Sequence, residues 1–223
     1  MLSSLSKDNI NIILDRIEVK NVLYRYPIFK YGAFKWVIKI CIYRELPVNY
    51  WKDIPLGEKP PKLLNAVIEV VSGSRDKYEY KSEWEAFVLD RMIPSSVVFP
   101  VEYGFVPQTW YDDQDPLDIM VMSYEPLEVG CIVRVRVIGV LMIEDEKGVD
   151  SKILSVLADD VRFEGIHDIT DVHVHQLREI QEFFETYKRL EPHKWVKVKE
   201  WQNAKAAHEI VQYAAKKYDI NKA

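Results

Sequence analysis

Apolar residues come in short bursts through the first two-thirds of this chain and recur at helical spacing only near its end. Ala66-Val67-Ile68-Glu69-Val70-Val71 predicts a strand, stopped by Ser72-Gly73-Ser74. Lys77-Tyr78-Glu79-Tyr80 alternates, with Lys77 and Glu79 on one face and the tyrosines on the other. Phe87-Val88-Leu89 and Ile119–Met122 are further short strands. The long β-branched run from Val129 to Ile143 joins Lys152–Leu157 through a charged turn, Glu144 to Asp150. From Asp171 the period changes: Leu177, Ile180, Phe184 and Tyr187 fall on one helical face, and Pro192 stops that helix. A second helix follows Asn203, a good N-cap, with Ala207, Ile210, Val211, Ala214 and Tyr218 on one side. Five or more strands followed by two helices predict a mainly β (α+β) fold, a small antiparallel barrel with helices packed outside it.

The first 46 residues read differently. Ile10–Leu14 and Phe34–Tyr43 are apolar segments with basic interruptions, compatible with a strand, a short helix or a packed extension. They lack the sustained period of a membrane-surface helix. Pro47 to Leu64, with Pro55, Gly57, Pro60 and Pro61, reads as a linker or surface loop. The expected organisation is an N-terminal extension, 1–46, and one domain, 47–223.

Composition narrows the classes. Of 223 residues, 48% are hydrophobic and 29% charged, an ordinary globular balance with one sizeable core. No apolar run reaches the length of a membrane span, and the start lacks a signal-peptide layout. Cys41 and Cys131 form neither a disulfide framework nor a metal-type spacing, so a cytoplasmic protein is expected. The net charge of −5 is uneven: residues 1–46 hold eight basic against four acidic side chains. The remaining body is acidic, a poor partner for a nucleic-acid backbone and a reasonable one for cations.

The chemistry concentrates in Tyr111-Asp112-Asp113-Gln114-Asp115-Pro116-Leu117-Asp118. Asp113 and Asp115 share a side on an extended backbone, and a bend supplied by Pro116 returns Asp118 to them. Asp112 is read as solvated. Crowded carboxylates call for hard cations, and oxygen-only ligands suit ions such as Mg²⁺. Taken singly these are turn or strand-face residues, as are Asp145, Asp150 and Glu69; a barrel would bring them into one cavity. Lys77, Arg91, Lys152, Lys188, Tyr103 and Tyr187 are candidate counter-charges and donors for an anionic substrate. Carboxylates, cations and phenols together suit metal-assisted phosphoryl transfer to water.

The string Asp113-Gln114-Asp115-Pro116-Leu117-Asp118-Ile119 resembles the D-x-D-P-x-D signature of the family I soluble inorganic pyrophosphatases. The likeness extends to Val67-Ile68-Glu69-Val70, Lys77-Tyr78-Glu79, Leu89-Asp90-Arg91 and Tyr103-Gly104-Phe105. It continues through Asp145 to Lys152, Phe183 to Lys188 and Lys194 to Val198, in register from about Asn49 to about Tyr218. The resemblance implies an OB-like five-stranded barrel that hydrolyses pyrophosphate to two phosphates. Such an enzyme keeps pyrophosphate-releasing biosynthesis moving forward. It implies Mg²⁺ as the preferred ion, with other divalent ions accepted. Asp113, Asp118 and Asp150 then look like ligands of the activating metals, with Asp118 bridging two of them. Asp145 and Glu69 resemble ligands of the ions that arrive with substrate, and Asp115 matches the general base. Lys77, Arg91, Tyr187 and Lys188 correspond to phosphate-binding groups supported by Lys152 and Tyr103, and Glu79 to an acid that orients them. A homo-oligomer, a hexamer in many relatives, is implied, with no nucleic-acid or membrane partner.

Two departures stand out: Phe99 replaces a tyrosine common in the family, and residues 1–46 lie outside the usual core. Three competing readings are weaker. A non-catalytic OB module binding single-stranded nucleic acid or a protein would want a basic groove interleaved with exposed aromatics. An EF-hand-type Ca²⁺ loop would want glycine where Asp118 stands, sixth from Asp113. A degenerate pyrophosphatase would be expected to have lost candidate ligands that this chain retains.

Overall fold

The computed structural model describes residues 20–30, 33–43, 48–146 and 148–222. The chain divides into two compact units, 1–47 and 48–223. In the first, β1 (Lys20–Lys30) and β2 (Ala33–Tyr43) pair antiparallel from Lys20↔Tyr43 to Lys30↔Ala33. The segment Phe34–Tyr43 is therefore a strand; Ile10–Leu14 lies outside the described residues.

The second unit contains β3 (Leu63–Val70), β4 (Asp76–Lys81), β5 (Ala86–Met92), β6 (Glu102–Phe105) and β7 (Asp118–Met122). These are followed by β8 (Ile132–Asp145), β9 (Gly148–Val149) and β10 (Lys152–Leu157). Helix α1 (Val174–Thr186), β11 (Val196–Asn203) and helix α2 (Ala204–Lys222) complete it. Strand β10 pairs with β7, β7 with β6, β6 with β3, β3 with β8, and β8 again with β10. That closes a ring of five strands and leaves no open edge between them. All pairs are antiparallel except β7–β10, where Ile119 stands beside Ile153 in parallel register. Strands β9 and β11 add to β8 outside the ring, and β4–β5 is a separate two-stranded hairpin.

Strand alternation sorts the core. Met120 and Met122 of β7 join the cluster that α1 completes with Ile180, Phe183 and Phe184. Ile119 and Val121 join the cluster that α2 completes with Ala207, Val211 and Ala214. Each of these buried Val, Ile, Met and Phe side chains contributes roughly 1.5–3 kcal/mol. The face predicted for the second helix is thus its packed face, and Asn203 caps it by accepting from the Ala206 N–H at 3.1 Å. The first helix starts later than its period suggests. Asp168 and Asp171 are consumed in a capped 3₁₀ turn, Ile169–Asp171, so the α-helix opens at Val174. It also ends at Thr186, before Pro192 acts.

Two strands escape the apolar pattern. β6 is only four residues long, and β11 is strongly polar, with Lys197, Lys199 and Glu200 outward. The loop after Pro47 is a packed surface loop: Trp51 stacks on Trp110 and donates from Nε1 to the Thr109 carbonyl at 2.9 Å.

Gly104 sets the tightest approach in the ring. A Cβ there would lie 1.8 Å from the Val67 carbonyl oxygen on the neighbouring strand. Gly104→Ala should therefore cost about 3 kcal/mol or more, since backbone rather than a side chain must yield. A urea titration measures this; an unchanged midpoint contradicts the close packing of β3 on β6.

Candidate active site

Two irregularities aim acidic side chains inward. In β3, Ile68 faces Gly104 and Val70 faces Tyr103, so Glu69 is the extra residue of a bulge. Such a bulge lets Glu69 leave the apolar alternation of its strand. Its Oε1 accepts from the Tyr80 N–H at 2.6 Å, tying β3 to the separate hairpin. In that hairpin Lys77 faces Arg91 and Tyr78 faces Leu89, which makes Asp90 the extra residue. Asp90 and Arg91 form an ion pair, and Lys77 lies 3.8 Å from Asp90 and 2.5 Å from Glu79.

The acidic loop is held at both ends by one buried hydroxyl. Thr109 Oγ1 donates to the Val106 carbonyl at 2.6 Å and accepts from the Leu117 N–H at 2.9 Å. Inside the loop the Tyr111 N–H donates to the Asp115 carbonyl and Gln114 adopts a φ of 68°. The reversal is therefore built by the turn from Tyr111 to Gln114, ahead of Pro116, rather than by the proline. Asp112 is not simply solvated: its Oδ1 accepts from the Tyr213 hydroxyl at 2.7 Å and from Lys217 at 2.6 Å. Those donors hold its carboxyl below the usual range and fasten the loop to α2. Nothing in the sequence places Tyr213 and Lys217, a hundred residues on, beside it.

Asp118 opens β7, Lys152 opens β10, and the parallel pairing of these strands sets the two side by side. Lys152 is an ion-pair partner of Asp118 and lies 2.5 Å from Asp150. Its ammonium lies over the Tyr103 ring, 5.6 Å from the centroid. Burial raises the Tyr103 phenol well above its ordinary value, and Asp118 beside it adds to the rise. Burial likewise pushes the Tyr187 phenol up, with Asp150 adding to the rise. At the end of α1, Lys188 reaches Asp145 at 2.8 Å and Glu146 at 3.3 Å.

These elements enclose a cleft of about 510 Å³. All thirteen residues singled out in the sequence line it: Asp113, Asp115, Asp118, Asp145, Asp150, Glu69, Glu79, Lys77, Arg91, Lys152, Lys188, Tyr103 and Tyr187. Asp90, Glu146 and Lys194 line it too, and motif comparison alone gave them no role. Phe99 does not; it is buried against Phe183 and Tyr103.

A family model described as inorganic pyrophosphatase matches residues 66–219. The inorganic pyrophosphatase of Thermus thermophilus is 48% identical over 75% of this chain and 97% of that protein. That of Haloferax volcanii is 38% identical over 78% of the chain and 98% of its own length. The crystal structure of the Thermus thermophilus enzyme superposes with a TM-score of 0.76 over 77% of this chain and 99% of that one, at 46% identity. The chain belongs to the inorganic pyrophosphatase family.

This pyrophosphatase hydrolyses pyrophosphate to phosphate and, like its family, depends on metal. The lining fits a hard cation in kind, with ten carboxylates against six lysine or arginine cations among the described residues. The shortage of positive charge shows in two acids. Burial, with Asp118 nearby, raises Glu69 to about 8. Burial, with Asp118 and Asp150, raises Asp113 to about 7. Glu79 is the opposite case: burial disfavours its charge, but Lys77 and Lys81 more than offset this and hold it at about 2. Among the described residues no three acids or histidines converge on a single ion position. Asp118 and Asp150 turn to Lys152 and Asp145 to Lys188, so an ion must share or displace those ammonium groups.

A pH dependence follows. Glu69 and Asp113 keep their protons to about 8 and 7 in the folded protein but lose them near 4.5 and 3.8 when exposed. Between those limits the folded form binds more protons, so its stability falls as pH rises. In chelator, the melting temperature should drop by about 5 °C or more from pH 5 to pH 8.5, at roughly 2–4 °C per kcal/mol. Divalent salt should restore more at pH 8.5 than at pH 5. A melting temperature that rises across this interval contradicts the charge crowding.

Proposed function

We propose that residues 47–223 form the catalytic domain, that Mg²⁺ is its working ion, and that Asp115 accepts the proton of the attacking water. The observation that carries this reading is the convergence of all thirteen residues, drawn from seven separate motifs, on one cleft. Asp113, Asp118 and Asp150 are assigned to the activating ions, and Asp145 and Glu69 to ions that accompany the substrate. Bound divalent ions shield the phosphate charge and acidify a water molecule. Asp115 is an exposed acid that lines the cleft, and its backbone N–H donates to Asp113 Oδ1 at 3.3 Å. It is thereby fixed relative to a ligand while its carboxylate faces the reacting side.

Lys77 and Arg91 from the β4–β5 hairpin and Lys188 from the end of α1 line the same cleft and can neutralise a diphosphate. Lys152, buried behind Asp118 and Asp150, orients those two carboxylates and adds positive charge at the floor. Tyr103 and Tyr187, with raised phenol pKa values, remain neutral donors across the working pH range. Glu79 holds Lys77 in place. The resemblance also supports a homo-oligomer working in the cytoplasm. No helix among the described residues is long and apolar enough to cross a membrane.

Phosphate release from pyrophosphate should require Mg²⁺ and disappear with chelator; turnover in chelator would overturn the metal-dependent reading. Asp115→Asn preserves shape and removes the proton acceptor. It should lower kcat by about 10²–10⁴-fold while leaving affinity for a non-hydrolysable diphosphate nearly unchanged. Full turnover in that variant would remove Asp115 from the role of base.

A further inference from the structure

Glu191 does not line the cleft, yet its side chain is only 9% exposed. Its Oε2 stands 2.9 Å from Arg91 Nε and 3.0 Å from Lys194 Nζ, and both of those cations do line the cleft. The Arg91 N–H is not aligned on that oxygen, so the contact is an ion pair rather than a directed hydrogen bond. The other oxygen, Oε1, is buried without a hydrogen-bond partner among the described residues. A carboxylate taken out of water in this way is costly unless the cations beside it compensate.

Its place in the fold gives the contact a purpose. Arg91 sits on the β4–β5 hairpin, which shares no strand pairing with the barrel. The hairpin's position therefore rests on side-chain contacts such as that of Glu69 with the Tyr80 N–H. Glu191 belongs to the turn after α1, where its N–H donates to the Lys188 carbonyl at 2.9 Å. One ion pair thus joins the wall that carries Lys77 and Arg91 to the wall that carries Tyr187 and Lys188. Asp90 takes Arg91 Nη1 and Glu191 faces Nε, so a long side chain is restrained at two points. None of these contacts uses Nη2, which stays available to an anion.

We infer that Glu191 is a positioning residue for substrate: it holds the Arg91 guanidinium in the orientation that receives a phosphate. This rests on Arg91 being a phosphate-binding group, as assigned above.

Glu191→Gln keeps the shape and removes the charge. It should raise KM for magnesium pyrophosphate about tenfold and leave kcat within about twofold, the signature of lost binding rather than lost chemistry. Affinity for methylenediphosphonate, measured by calorimetry at saturating Mg²⁺, should fall in parallel. Arg91→Lys should raise KM by itself, and adding Glu191→Gln to it should change little further, because the second residue acts through the first. Unchanged KM and diphosphate affinity in Glu191→Gln, with only a lower Tm, would show a purely structural carboxylate and overturn the inference. Additive effects in the double variant would overturn it as well. If Arg91→Lys alone leaves KM unchanged, the assignment of Arg91 fails instead, and the two failures are told apart. Should Glu191→Gln not fold, Glu191→Asp retains the charge but shortens its reach. It should show the same rise in KM, and an unaltered KM there would be equally decisive against the proposal.

Discussion

A lysine side chain that is 5% exposed stays charged only if anions surround it, and Lys152 meets that condition with Asp118 and Asp150. Much of the site follows from this triad. Lys152 begins β10 and Asp118 begins β7, so the only parallel pair in the ring brings the ammonium and the first carboxylate together. Asp150 sits two residues before Lys152, where its N–H is fixed by the Ile143 carbonyl. Removing the lysine would leave two carboxylates crowded beside Asp113 and Glu69, which already retain protons to near-neutral pH. The triad holds at the floor of the cleft a negative charge that folding alone would disfavour.

Around that floor the protein places charge by breaking regularity. A continuous strand would send Glu69 with its apolar neighbours into the core or out to solvent. A single bulge lets it face the cleft instead. A second bulge lets Asp90 and Arg91 serve the same side of β5. The acidic loop uses a third device, a left-handed Gln114 in a turn held shut by Thr109. Each device costs some local regularity, and each acts where a carboxylate must leave the face that its strand position dictates.

This explains which parts were legible in the sequence. The strands with long β-branched runs and both helical faces follow from apolar periodicity, and the five-strand closure follows from the family resemblance. The short β6 and the strongly polar β11 do not, because four residues carry no period and a strand added outside the ring has little apolar face to show. The candidate site residues are legible as motifs. Their mutual geometry is not, since bulges and a positive φ at a glutamine leave no dependable mark. Asp112 is the clearest miss. Its partners, Tyr213 and Lys217, lie on a helix whose placement depends on the packing of Ala207, Val211 and Ala214 against the barrel.

The distribution of paired acids around the cleft carries the argument one step further. Glu79, Asp90, Asp118, Asp145 and Asp150 are each committed to a lysine or arginine. Every cation assigned to phosphate therefore already has an acid of the protein beside it. A diphosphate binding alone would have to compete with those acids while adding to a surplus of negative charge. On the proposed assignment, Asp118, Asp145 and Asp150 would hold divalent ions, whose charge would satisfy those carboxylates and so free the ammonium and guanidinium groups for phosphate. Metal and substrate affinity would then be coupled through the same side chains, with neither proposed set of residues a binding site independent of the other.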